Sequence, residues 1–353
     1  MPRLSLLRHA ALPAAILFGG SVLTGCGGSG GGTGGAGGTG GAGGSSVKLP
    51  SISGAGATFP AAAYQRWSGD YAAGSGNQVN YQSVGSGAGV RQFTAGTVDF
   101  GATDEQLSDE EFAATAKRGA LQIPMLGGTV TPAYNKPECS DLRLTQAQLG
   151  DIYLGKIKTW DQLKCGSGPI TVVHRSDGSG TTYAFTNSLS CFSDEWKSKV
   201  GKGKAVKWPV GVGAKGNEGV AGSITNTPGA IGYVNQAYVR GSIRAASLQN
   251  KEGQFVKADS SSGAAALAAV ALNERLGGED CNPAGSASFP IVAFSWILAY
   301  EKGYGPEKAK AVRSFLEWSL GDGAQKQASS LGYVPLTGDV LSRARQAVTK
   351  IAD

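Results

Sequence analysis

One short segment carries the residue types that most suggest chemistry: Val172-Val173-His174-Arg175-Ser176-Asp177-Gly178-Ser179-Gly180-Thr181-Thr182. Its apolar start fits the end of a strand, and a helical pattern begins after Thr181. A guanidinium presents a planar fork of donors matched to paired oxygens. Asp177, two residues on, can hold that fork in place. A helix N-terminus adds unpaired N–H groups and a partial positive charge. Gly180 lets backbone approach a ligand closely, and the Ser179 and Thr181 hydroxyls add donors. Together these groups suit an oxyanion. Taken alone, Arg175 and Asp177 could also be a surface ion pair of little energetic consequence.

Two earlier turns repeat the chemistry. Gly54-Ala55-Gly56-Ala57-Thr58-Phe59-Pro60 and Gly85-Ser86-Gly87-Ala88-Gly89 each set glycine beside a hydroxyl where a helix should start. In a chain with 56 glycines, one such turn can be a plain loop. Three turns and Arg175 converge on one small tetrahedral anion. Asp104 is the exception, a carboxylate closing the apolar run Thr97–Asp104. Beside an anion it should repel, unless the anion still carries a proton that Asp104 can accept. Phosphate near neutral pH keeps one and sulfate does not, so Asp104 would select by protonation. The alternative role for Asp104 is to cap the next helix.

These turns need strands and helices to hold them. A strand is expected at Ser51–Ser53, then a helix with Tyr64, Trp67 and Tyr71 on one face, with Thr58 as a possible cap and Pro60 in its first turn. Residues 78–84 alternate like a strand, 85–96 enter a short helix, and 97–104 read as a buried strand. Helix at 108–119, an extended run at 121–135 and a largely helical 145–163 follow. Further on come a strand at 170–175, helices at 181–189 and 263–278, a strand at 289–301, and two closing helices at 306–320 and 336–351. Strands alternating with helices predict α/β sheets with crossovers.

The chain has 353 residues, 41% hydrophobic and only 16% charged, which suits a folded body of two domains. Its net charge is +6. No basic stripe of the kind that nucleic-acid binders carry is present, and the run 197–207 is expected to be a solvated loop. Arg3 and Arg8 precede a short apolar run and then Leu23-Thr24-Gly25-Cys26, which resembles a bacterial lipobox; by that resemblance residues 1–25 are a lipoprotein signal peptide and Cys26 carries the lipid. An ordinary signal peptide cleaved nearby is the alternative. Residues 27–44 contain only Gly, Ser, Thr and Ala, a flexible tether reaching about 23 Å. Cys139, Cys165, Cys191 and Cys281 remain, an even number in an exported chain. Of three possible pairings, Cys139–Cys165 with Cys191–Cys281 is favoured because the first closes a local excursion. His174, the sole histidine after the signal segment, is expected to pack or line a rim.

Several segments together resemble the periplasmic phosphate-binding proteins of bacterial phosphate ABC importers, the PstS family. They are GAGATFP, VNYQSVGSGAGV, VDFGATD, LGDIYLGKIKTWD, RSDGSGT, VKWPVGVGAKGNEGV and PGAIGYV. The resemblance implies a two-lobed α/β Venus-flytrap fold with two crossovers: lobe 1 at 47–134 plus 290–353, lobe 2 at 135–289, and the tether ending at 46. It implies a receptor, without catalytic residues or cofactor, that binds inorganic phosphate and passes it to an inner-membrane permease. By position, Thr58 and Phe59 donate backbone N–H groups and Thr58 its hydroxyl, with Ala57 at the edge. Ser86 donates through hydroxyl and N–H, Asp104 accepts the ligand proton, and Arg175, held by Asp177, pairs with ligand oxygens. Ser179, Gly180 and Thr181 form the helix-end cradle. A monomer touching the membrane only through its lipid is expected.

Other chemistries fit less well. Gly211-Val212-Gly213-Ala214-Lys215-Gly216 satisfies GxGxxG, but no acidic residue follows at the distance a dinucleotide site needs, and Trp208-Pro209 stands where its strand should end. Ser179 lacks GxSxG spacing and has only His174 as a prospective base, which argues against a phosphate-ester hydrolase. Arsenate, protonated and nearly isosteric with phosphate, stays open; sulfate is disfavoured by Asp104.

Overall fold

The computed structural model describes residues 48–353, so Cys26 and the 27–44 tether lie outside it. The described chain begins with β1 (Ile52–Gly56), α1 (Ala61–Ser75), β2 (Val79–Ser83), α2 (Ser86–Thr94), β3 (Phe100–Thr103), α3 (Asp109–Ala114) and β4 (Leu121–Asn135). Next come β5 (Arg143–Leu144), α4 (Gln146–Tyr153), β6 (Thr171–Arg175), α5 (Gly180–Phe192), α6 (Asp194–Lys199), β7 (Val212–Ala214), α7 (Gly216–Asn226) and β8 (Ala230–Asn235). Then follow β9 (Arg244–Ala245), β10 (Ser247–Gln249), β11 (Phe255–Val256), α8 (Ser260–Leu267), β12 (Val292–Ala299), α9 (Pro306–Ser319), α10 (Asp322–Ser330) and α11 (Gly338–Val348).

The main sheet has nine strands, in the order β2-β1-β3-β12-β4-β8-β6-β7, with β9 also on β4. Within it β1 pairs parallel to β2 and β3, and β6 pairs parallel to β7 and β8. Each parallel pairing demands a crossover, which α1, α2, α5 and α7 supply. Strand β4 joins the two halves. Its residues Leu121–Thr129 pair with β12, and Val130–Asn135 pair with β8. Every residue of β4 is buried, so no loop marks the change of partner in the sequence. The change of partner falls at Thr129–Val130. The second passage lies beside it, where the Val130 N–H donates to the Ile291 carbonyl (2.9 Å). Helix α8 already packs on β4 and β12, so part of the 258–289 segment serves the β12 half.

The apolar face expected on α1 is there: Tyr64, Trp67 and Tyr71 are buried. Tyr71 meets Phe315 and Trp318 of α9 edge-on, and Trp67 Nε1 donates to Ala324 O (3.0 Å). Both disulfides have the favoured pairing, Cys139–Cys165 and Cys191–Cys281, with Cα separations of 5.0 and 6.1 Å.

Four expectations need correction. β1 runs from Ile52 to Gly56, further than Ser51–Ser53. The helix expected over 263–278 stops at Leu267. The last turn tightens there, the Ala269 and Val270 N–H groups donating to Ala266 and Leu267 O, and Asn273 further on accepts the N–H groups of Arg275 and Gly277 in a turn of its own. The 145–163 segment is helix only to Tyr153, with a 3₁₀ turn at Trp160–Leu163; Gly155 (φ 74°) breaks it. Three closing helices replace two, because α10 is too polar to show an apolar stripe yet buries Ala324, Gln325 and Ala328.

Candidate functional site

Where β1, β3 and β6 end, three helix starts meet. Thr58 follows β1. It does not cap α1, whose N-cap is Pro60 without a side-chain bond. Its hydroxyl is occupied instead by Asn217 of α7, whose backbone N–H (3.0 Å) and Nδ2 (2.8 Å) both donate to it. The Thr58 carbonyl accepts Tyr238 Oη (2.6 Å) and that of Phe59 accepts Tyr333 Oη (2.8 Å). Among the described residues, the Thr58 and Phe59 N–H groups have no protein acceptor. Ala57 is a buried wall, its N–H on Ala102 O and its carbonyl on Tyr81 Oη.

Ser86 opens α2. Its Oγ accepts the Asp104 N–H (3.3 Å) and lies 3.4 Å from Asp104 Oδ2. Asp104 follows β3 and is buried. It does not cap α3; Ser108 does, in a reciprocal capping box with Glu111. Ser295 Oγ of β12 donates to Asp104 Oδ1 (2.8 Å). Burial pushes the Asp104 carboxyl up to about 7, against the bond from Ser295, the field of Arg175, and hydrogen bonds from Ser86 and Thr181.

Arg175 closes β6 and is buried, with Nε on Asp177 Oδ1 (2.7 Å) and Nη2 on Asp177 Oδ2 (2.5 Å). Its backbone N–H donates to Tyr233 Oη (3.1 Å). Arg175 Nη1 is a buried donor without a protein partner. Desolvation would raise the Asp177 carboxyl, but the Arg175 bonds and charge with the Gly216 N–H together hold it below the usual range. Ser179 is the N-cap of α5, its Oγ accepting the Thr182 N–H (3.0 Å). Gly180 and Thr181 therefore present first-turn N–H groups that the helix cannot satisfy. A side chain at Gly180 would meet the Asp104 backbone N at 2.7 Å, so only glycine lets these two turns touch.

The halves are closed on one another. Gly87 N–H donates to Gly178 O (2.9 Å), Ser83 Oγ to Glu218 Oε1 (3.0 Å), and Lys204 Nζ lies 3.3 and 2.8 Å from Glu105 and Glu111. Lys204 thus corrects the view of 197–207 as a solvated loop: it turns inward, and Lys197 and Lys199 belong to α6. His174 stacks on Trp208 (4.8 Å between centroids) and its Nδ1 donates to Arg175 O, a packing role. The six-residue glycine motif forms β7 and the entry to α7, with Gly216 N–H on Asp177 Oδ1 (3.1 Å).

The result is a set of donors around one acceptor carboxylate. With Arg175 paired to Asp177, net charge cannot attract an anion; oriented N–H and O–H groups must do so. Asn217, Ser295, Tyr233 and Tyr238 were not singled out from sequence. Only Asn217 left a signal, a side chain in the first turn after a glycine-rich loop.

The fold is that of the PBP superfamily, whose domain model matches residues 33–322. Curated relatives narrow the class. The chain is 44% identical over 307 residues to phosphate-binding protein PstS of Pasteurella multocida, covering 83% of this chain and 88% of the relative. It is 38% identical over 333 residues to PstS of Methanocaldococcus jannaschii, covering 84% and 85%. Among solved structures, a phosphate-binding protein from Stenotrophomonas maltophilia superposes with a TM-score of 0.66 at 21% identity, covering 84% of this chain and 93% of the other. A high-affinity periplasmic phosphate-binding protein solved with phosphate gives a TM-score of 0.71 at 23% identity, with the same coverage. The chain belongs to the PstS phosphate-binding protein family within that superfamily.

Proposed function

We propose that this protein is an extracytoplasmic receptor that holds inorganic phosphate between its two halves and delivers it to an ABC-type permease. The observation that carries this is the buried Asp104 carboxylate, set among donors that include the unpartnered Arg175 Nη1. Thr58, Phe59, Ser86, Arg175, Gly180 and Thr181 hold the oxygens, and Ser179 builds the α5 end that makes this possible. Asp104 takes the ligand proton, Asp177 aims the guanidinium, and Ala57 seals the wall. The lobes open and shut about Thr129–Val130 and the passage near Ile291, as the pairing of β4 suggests.

The body works as a monomer, without cofactor or chemical step. Cys26 carries a lipid, and residues 27–44 tether the body to a membrane. No described helix is long and apolar enough to cross one. Equilibrium dialysis with radiolabelled phosphate, beside an assay for phosphomonoester turnover, tests the proposal. Saturable one-to-one binding without turnover is expected. Absent binding, or turnover, contradicts it.

A further inference from the structure

Asn217 stands at the first turn of α7 with no exposure to solvent, yet it reaches both halves. Its Oδ1 accepts the Asn235 N–H (2.9 Å), which fixes the amide orientation and turns Nδ2 the other way. Nδ2 then donates to Thr58 Oγ1 (2.8 Å) and to Thr181 Oγ1 (3.1 Å). The Asn217 backbone N–H donates to Thr58 Oγ1 as well (3.0 Å).

A hydroxyl has two acceptor sites and one proton. Thr58 Oγ1 already accepts two bonds, so its proton can only be given away. Thr181 Oγ1 accepts one bond, and its proton is given to the Asp104 carboxylate. Because Thr58 comes from the β1 half and Asn217 from the β8 half, the polarity of Thr58 is set only when the halves meet, whereas Thr181 shares a half with Asn217.

We propose that Asn217 is a positioning residue that fixes the Thr58 hydroxyl as a donor toward the anion upon closure. The inference rests on the phosphate-receptor function proposed above. Oxygens bound at that corner must be unprotonated, so the ligand's proton is steered to Asp104, the acceptor on the other side of Gly180. Closure and ligand orientation thereby become one event. The charged groups around Asn217 are already committed: Glu218 to Ser83 and Tyr238, and Asp177 to Arg175 and Gly216. Asp104 is bonded to Ser295. None of them competes for Nδ2.

The test compares phosphate dissociation constants of wild type, Asn217→Asp, Asn217→Ala, Thr58→Val and the Ala/Val double variant by calorimetry from pH 8 to pH 5. Thermal unfolding of the phosphate-free proteins controls for stability. Asn217→Asp keeps the shape but offers acceptors. It should weaken phosphate about 100-fold at pH 8, the loss of charge-assisted donation. Its ratio to wild type should then narrow at least about 10-fold by pH 5, because full burial raises the new carboxyl above its ordinary value and lets it gain a proton to donate. The double variant should lose no more than the worse single one. A ratio flat with pH, or losses that multiply in the double variant, overturns the proposal. Wild-type protein that does not bind phosphate overturns the receptor function itself, and that titration is read first.

Discussion

Arg175 and Asp177 form a two-bond clamp, Nε to Oδ1 at 2.7 Å and Nη2 to Oδ2 at 2.5 Å, that leaves Nη1 as the one guanidinium nitrogen without a partner. Two residues of a strand end thereby convert a flexible cation into a fixed donor. The clamp is largely shielded from water, the Arg175 side chain being 1% and that of Asp177 13% exposed. It differs in kind from the exposed pair that the sequence also allowed.

Arg175→Lys should therefore fail as a conservative change. Lysine keeps the charge but cannot hold Asp177 at two points while presenting a third nitrogen. Phosphate affinity should fall about 10- to 100-fold. Arg175→Ala should cost more, since it also leaves Asp177 buried and unpaired. Titration calorimetry checks both, and affinity unchanged in the lysine variant would place the arginine outside the ligand's reach.

Gly180→Ala addresses closure. The added methyl would lie 2.7 Å from the Asp104 backbone N and Cβ, which belong to the opposite half. Relief requires the halves to part, whereas each half alone can accommodate alanine in a first helical turn. Phosphate affinity should drop by more than about 100-fold with little change in the unfolding temperature of the ligand-free protein. Small-angle scattering in saturating phosphate should show the variant more open than wild type. A variant as tight and as compact as wild type would contradict the closed packing.

Stability of the phosphate-free protein should depend on pH through two carboxyls. Burial raises Asp104 from 3.8 to about 7 and Glu105 from 4.5 to about 7, the latter against its pairing with Lys204. Each binds its proton more tightly folded than unfolded. Their favourable contribution is thus complete below about pH 4 and is lost as pH rises through 7, on the order of 4 kcal/mol for Asp104. Asp177 runs the other way, since its lowered value costs stability only below about pH 4. The melting temperature should fall between pH 5 and pH 8, and Asp104→Asn should flatten the slope. A profile that rises over that range would be incompatible with these two carboxyls.

Much of the site was legible because anion chemistry concentrates its residues at strand-to-helix turns. Thr58, Ser86 and Gly180 announce themselves by glycine and hydroxyl spacing, and Asp104 by ending an apolar run. Ser295 could not be read in this way. It sits within β12, a strand buried along its whole length, and a serine there has no local pattern to mark it. Asn217 showed only its place after a glycine-rich loop and not its role, because its partners Thr58 and Thr181 are 159 and 36 residues away. The fold followed the same division. Amphipathic α1 was plain from Tyr64, Trp67 and Tyr71, while polar α10 and the change of partner inside β4 depend on neighbours that no local window contains.

The most direct test of the central claim, that Asp104 recognises an anion by the proton it carries, is titration of the body spanning residues 48–353 with phosphate and with sulfate at pH 8. Asp104 should then be charged and able only to accept, so phosphate should bind one to one and sulfate at least about 1,000-fold more weakly. Asp104→Asn, which can also donate, should narrow that gap. Equal affinity for the two anions in the wild-type protein, or no heat with phosphate, would contradict it.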